Sequence, residues 1–177
     1  MHNLKIFIDV VALVLLYFLF FRKKWYTQRR DIRLMKILMY IYLSFVLFFT
    51  MMPIICNLPF VFDHHYNINL VPFDDYINGR GDVIRQIVLN VIMTIPFGFL
   101  FPLTQKEEKR TFSRTLLFTL LLTLSIELLQ PIINDWRSND VTDIITNTIG
   151  GLIGYGIYLL FRPISVPILN NIREKKN

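Results

Sequence analysis

Charge is scarce in this chain. Only 18% of its 177 residues are Asp, Glu, Lys or Arg, and 54% are hydrophobic, where a soluble domain carries about 25% charged residues. A soluble globule of this length has too little interior to hide so much apolar surface, which excludes an ordinary soluble enzyme or binding domain. Cysteine is nearly missing as well. Cys56 stands alone, so neither an internal disulfide framework nor a Cys-based zinc site is available, and thiols say nothing about redox compartment. The eight prolines and seven glycines follow no period, which leaves out internal repeats and low-complexity tracts. Also missing are a Gly-rich phosphate loop, a Gly-x-Ser-x-Gly elbow and a Cys/His nucleophile pair. A single small integral membrane domain over residues 1–177 fits these bounds.

A bilayer core of about 30 Å needs about 20 mostly apolar residues per helix. Five stretches meet that requirement. Leu4 to Phe21 is apolar apart from Lys5 and Asp9. No charge lies between Lys36 and Asp63, but Pro53 and Pro59 predict that the helix there ends near Cys56. The third stretch runs from Arg85 to Lys106 with Asn90 and Pro96 inside it; the fourth, Arg114 to Asp135, has Glu127 as its only charge; the fifth runs from Asp143 to Arg162. The first stretch is too long for a signal peptide, has no small-residue cleavage site after it and is followed by its basic cluster, so it reads as a retained anchor.

Basic residues then orient the chain. Fifteen of the nineteen fall in the loop between segments one and two (Arg22 to Lys36), the loop between three and four (Lys106 to Arg114) and the C-terminal tail (Arg162 to Lys176). Lys5, Arg80, Arg85 and Arg137 fall on the other side. By the positive-inside rule the chain is an all-α integral membrane protein of five transmembrane helices, N-terminus outside and C-terminus cytoplasmic. These basic runs read as topology signals and anionic-headgroup contacts, so nucleic acid is not an expected partner. Residues 1–56 form two helices around a basic cytoplasmic loop. The connection over 57–86 is too apolar to be a free exterior loop, with Phe60, Phe62, Tyr66, Leu70, Val71 and Phe73, and should lie on the outer interface.

A charge at mid-bilayer costs about 2.5–3.5 kcal/mol, so each one retained needs a partner or a purpose. At about 1.5 Å per residue, Glu127 lies roughly 9–12 Å below the outer end of its helix. Asp9, Asn90, Asp143 and Asn147 also fall in outer halves, and the inner halves show no comparable cluster. On the fifth segment Asp140, Asp143, Asn147, Gly150 and Gly154 recur at spacings of 3, 4, 3 and 4, one stripe of a helix. Glu127 and Gln130, three apart, share a face of the fourth. Arg137, in the turn between these helices, can fold over either acid. The expected site therefore comprises Glu127, Gln130, Arg137, Asp140, Asp143 and Asn147, with Asn90 as a third wall.

Plainer roles stand beside these. Asn147, Gly150 and Gly154 also describe a helix-packing seam, Asp140 an N-cap and Asp143 a first-turn acid facing the helix dipole. Pro96 and Gly98 can kink or loosen the third helix. Glu127, in the middle of a helix, has no such local explanation. Asp63, His64 and His65 are adjacent, and adjacent residues rarely converge on one ion, so no metal site is expected. A hard cation on Glu127, Asp140 and Asp143 is chemically admissible, but Arg137 and Gln130 suit an anionic or sugar headgroup equally. No cofactor is expected.

The same residues resemble the VanZ-like family of bacterial membrane proteins. The matching blocks are Asn69-Leu70-Val71-Pro72-Phe73, Asn90 followed by Pro96-Phe97-Gly98, Glu127-Leu128-Leu129-Gln130, and then Arg137, Asp140, Asp143, Asn147 and Gly150-Gly151. Together they define a core over residues 67–154, and the first two helices match nothing in it. The resemblance implies a multi-pass protein of the bacterial cell membrane connected with low-level resistance to lipid-tailed glycopeptides such as teicoplanin. Its expected partners are membrane lipids and either a lipid-linked cell-wall precursor or the lipoglycopeptide itself. A binder or shield, an intramembrane enzyme acting on such a precursor, and a small transporter are three distinct readings. The transporter would need a polar route to the cytoplasmic side. Ligand, reaction and oligomeric state are not fixed at this level.

Overall fold

In hydrocarbon every backbone N–H and C=O must be paired within the protein, and a helix does this within one segment. The computed structural model, which describes residues 2–59, 68–133 and 139–174, meets that demand with five helices long and apolar enough to cross a membrane. The first crossing is compound: α1 (His2–Leu16) passes through a π turn (Tyr17–Phe21) into α2 (Arg22–Tyr26). The others are α3 (Arg30–Thr50), α5 (Val83–Leu103), α6 (Phe112–Ile133) and α7 (Val141–Glu174). Between α3 and α5 lie β1 (Ile68–Asn69) and the short α4 (Asp74–Ile77); β2 (Asn139–Asp140) leads into α7. The all-helical expectation therefore needs one amendment, a two-residue parallel ladder pairing Ile68 with Asn139 and Asn69 with Asp140.

Helix ends differ from the expected ones for identifiable reasons. α3 takes Arg33 and Lys36 into its first turns and stops at Thr50, not near Cys56, because Pro53 follows at once. Its start is held by Arg29, whose Nε and Nη2 donate to the two oxygens of Asp31 at 3.2 and 2.6 Å. α7 does not end near Arg162. It continues through Pro163 and Pro167 because Leu169 is buried in a cluster with Met35, Leu103, Tyr155 and Tyr158. The π turn in the first crossing sits where the Tyr40 hydroxyl donates to the carbonyl of Leu13 at 2.7 Å, a side chain entering the helix ladder. Tyr17, Phe21, Trp25 and Tyr40 gather there with ring centroids 4.9–6.1 Å apart in contacting pairs.

The core is the contact of α5 with α7, flanked by α6 and α3; the α1 side chains are mostly exposed on the periphery. α5 and α7 approach backbone to backbone. A Cβ on Gly98 would stand 1.9 Å from the Gly151 carbonyl oxygen, and one on Gly154 would stand 2.0 Å from that of Ile95. At one end of the bundle the Asp31 hydrogen bonds raise the Arg29 guanidinium above its ordinary pKa range, and Glu107 and Glu108 add to the rise across space. The turn before α3 and the connection between α5 and α6 are thus neighbours. At the opposite end Asp9 of α1, 3% exposed, accepts the backbone N–H of Ile54 and that of Ile55, the latter at 3.0 Å. Asn57 Nδ2 donates there to the Ile133 carbonyl at 3.1 Å.

Candidate functional site

The start of α7 organises this second end. Asp140 precedes the helix, and its Oδ1 accepts the Thr142 N–H at 2.7 Å, the geometry of an N-cap. Its Oδ2 accepts Asn69 Nδ2 at 3.3 Å, and its own N–H donates to Glu127 Oε2 at 3.3 Å. Asp140 therefore joins three elements, β1, α6 and α7. The segment 69–73 is folded down onto it: Asn69 Oδ1 accepts the Val71 N–H at 3.1 Å, and the Phe73 N–H donates to Thr142 Oγ1 at 2.9 Å. Phe73 has φ 58°, a left-handed conformation costly for a bulky residue, and the Thr142 hydrogen bond anchors it there.

One turn further, Asp143 is met by a side chain of α5. Gln86 Nε2 donates to its two oxygens at 3.2 and 3.1 Å. Gln86 is exposed while Asp143 is 6% exposed, so this amide connects a buried carboxylate with the protein surface. The positive end of the α7 dipole favours both acids where they sit. Asn147 follows on the same stripe, 1% exposed. Its Nδ2 donates to Thr123 Oγ1 at 3.1 Å, its carbonyl accepts Thr94 Oγ1 at 2.7 Å, and its Oδ1 has no partner among the described residues. Gly150 lies directly below, where a Cβ would stand 2.1 Å from Thr94 Oγ1. The stripe on α7 is thus polar against α6 and α5 at its start and a glycine notch against α5 further along.

Of the candidate residues, Glu127, Asp140, Asp143 and Asn147 come together at the start of α7. Gln130 faces elsewhere, its Nε2 donating to the Thr50 carbonyl at the end of α3 at 3.4 Å. Asn90 does not reach the acids. It lies half-buried in a groove between α3 and α5, and its Nδ2 has no partner among the described residues. Pro96 lines the same groove. Arg137 lies outside the described residues, as do Asp63, His64 and His65. Among the described residues no group of three or more His, Cys, Asp or Glu side chains is arranged to hold a metal ion.

Sequence reasoning passed over two features. Gln86, not Asn90, is the α5 side chain that meets Asp143; it sits one turn before Asn90, and that spacing was the available signal. The other is a column on α6: Thr115, Thr119, Thr123 and Glu127 recur every four residues and are at most 3% exposed. It carries hydroxyls from Glu127 toward the opposite end of the bundle, with Thr119 packed against Gly151. Chemically, the arrangement offers buried carboxylates and amides hydrogen-bonded across α5, α6 and α7, with Gln86 at the protein surface beside Asp143.

A profile of the VanZ/LLP1 family matches residues 6–162. Protein VanZ of Enterococcus faecium is 34% identical over 122 residues, covering 68% of this chain and 71% of that protein. No solved structure matches the chain. The family match extends over α1 and α3 as well as over the acid and glycine positions of α5, α6 and α7. This multi-pass membrane chain belongs to the VanZ/LLP1 family.

Proposed function

We propose that this is a bacterial cell-membrane protein with an outward-facing polar site, connected with low-level tolerance of lipid-tailed glycopeptides such as teicoplanin. It would act by binding or shielding a lipid-linked component of the cell surface. The observation that carries the reading is the hydrogen bonding of exposed Gln86 to buried Asp143. It opens the Glu127–Asp140–Asp143–Asn147 cluster to one end of the bundle, the end away from the basic turns. The positive-inside rule assigns that end to the outside, where drugs acting on wall precursors work.

Orientation is tested first. In a Cys56→Ser background, Tyr76→Cys should react with an impermeant thiol reagent on intact cells and Lys24→Cys should not; labelling at position 24 would reverse the site. Function is tested by expressing the full chain in a susceptible host. Teicoplanin tolerance should rise with the parent protein and fall to the level of the empty host in a Glu127→Ala, Asp143→Ala double variant. Membrane insertion and the melting temperature are measured on the same samples, since removing one member of a buried ionic network costs about 3–5 kcal/mol. Full tolerance in a normally inserted double variant would reduce the cluster to packing. Single Asp143→Asn and Glu127→Gln variants separate the mechanisms: a binder retains partial protection in the first, whereas an enzyme that moves a proton on Glu127 loses all of it in the second.

A further inference from the structure

The groove between α3 and α5 has a volume of about 700 Å³, and Gln86, which meets Asp143, lies on its wall. It is amphipathic along its length. Asp82 and Arg85 line it at the start of α5 with Asn90 one to two turns deeper, and Phe45, Ile92 and Pro96 line its apolar part. Phe45 and Ile92 are 59% and 56% exposed, so the apolar part is open sideways to the hydrocarbon. From Arg85 to Pro96 the helix rises about 16 Å, close to half of a bilayer core of about 30 Å. The groove thus has the depth of one leaflet, with its charge at the headgroup level. Its polar end has donors without acceptors. Among the described residues Arg85 makes no hydrogen bond or ion pair, and Asn90 Nδ2 is shielded from solvent with no partner. Asp82, three residues before Arg85, does not pair with it.

We infer that this groove binds one anionic glycerophospholipid from the surrounding leaflet. Arg85 and Asn90 Nδ2 take its phosphate, Asp82 takes a hydroxyl of its head, and one acyl chain lies along Phe45, Ile92 and Pro96. A guanidinium grips a phosphate in bidentate fashion, and an amide donor beside it completes the set. A hydroxylated head, as in phosphatidylglycerol, answers Asp82 where a bare phosphate would be repelled by it. Gln86 lies between this headgroup position and Asp143, so a bound lipid presents its head to the buried cluster. The inference deepens the function proposed above and rests on its outward orientation, because it names the lipid class that reaches the site.

The test is native mass spectrometry of the full chain released from nanodiscs containing phosphatidylglycerol and chain-matched diacylglycerol in equal amounts. One retained phosphatidylglycerol is expected, at about tenfold or more over diacylglycerol, the ratio that one charge-assisted contact supplies. Arg85→Gln should remove that preference. Ile92→Trp, which fills the groove from the lipid side without touching the polar end, should displace both lipids. Melting temperatures are measured alongside. Equal retention of the two lipids by the parent chain, or an undiminished adduct in folded Ile92→Trp, would overturn the inference, as would displacement by millimolar inorganic phosphate. The two readings fail separately. Lost lipid preference with intact teicoplanin tolerance sinks only the lipid site, and tolerance unchanged in the Glu127, Asp143 double variant with the adduct retained sinks only the function.

Discussion

Replacing Gly98 or Gly154 by alanine is expected to lower the stability of the bundle by about 1–3 kcal/mol or more, the cost of overpacking a close-packed contact. A single methyl on Gly98 would meet the Gly151 carbonyl oxygen at 1.9 Å, and one on Gly154 the Ile95 carbonyl oxygen at 2.0 Å. Both obstacles are backbone, which cannot turn aside as a side chain can. Relief requires α5 and α7 to separate, and the separation would stretch the Thr94 to Asn147 hydrogen bond of 2.7 Å and the Gln86 to Asp143 contact. If the proposed function holds, loss of teicoplanin tolerance should therefore accompany loss of stability. Gly156 is the internal control on the same helix. Nothing lies within 4 Å of a Cβ there, so Gly156→Ala should be neutral or stabilising by up to about 1 kcal/mol through helix propensity. Thermal unfolding in detergent reads all three. Equal melting temperatures for Gly98→Ala, Gly154→Ala and Gly156→Ala would show that the α5–α7 contact is looser than the structure describes.

Asp9→Ala is expected to destabilise the protein by about 2–5 kcal/mol and to expose the segment after α3. Asp9 is a carboxylate inside a membrane helix, and insertion of such a group costs about 2.5–3.5 kcal/mol. Two backbone donors, Ile54 and Ile55, offset that cost and are themselves satisfied by it. Alanine removes both acceptors and leaves two N–H groups stranded, each worth about 1–3 kcal/mol when buried without a partner. Asp9→Asn keeps one acceptor oxygen and should recover about half of the loss. Melting temperature and limited proteolysis around residues 51–59 provide the readout. A protease pattern and melting temperature unchanged from the parent in Asp9→Ala would show that water or lipid headgroups replace the carboxylate.

How legible the site was in the sequence varies residue by residue. The α7 stripe of Asp140, Asp143, Asn147, Gly150 and Gly154 could be read because helical periodicity needs only the chain itself. The cap was legible too, since Asp140 meets Thr142 two residues on, and so was a packing seam at Gly150 and Gly154. The partners of Asp143 and Asn147, Gln86 and Thr123, were not, since they lie 57 and 24 positions away. Asn90 was grouped with the acids on depth alone. Depth is one coordinate of a position in a bundle, and Gln86, one turn before Asn90 on nearly the same face of α5, is the residue level with Asp143. The threonines of α6 were overlooked because a hydroxyl scarcely lowers hydropathy.

What this sequence determined by itself is the number of apolar spans and the gathering of its basic residues in alternate connections. Both follow from local quantities, transfer free energy and charge, summed over neighbours in the chain. Only the tertiary structure decided how far the helices run and what they touch. Leu169 draws α7 past two prolines into the cluster with Met35 and Leu103. Asp9 reaches the loop 45 residues ahead of it. The groove beside Arg85 is lined by α3 and α5, which are far apart in the chain. These outcomes turn on backbone-to-backbone approach, which the glycines of α5 and α7 permit but which takes its distance and angle from both partners at once.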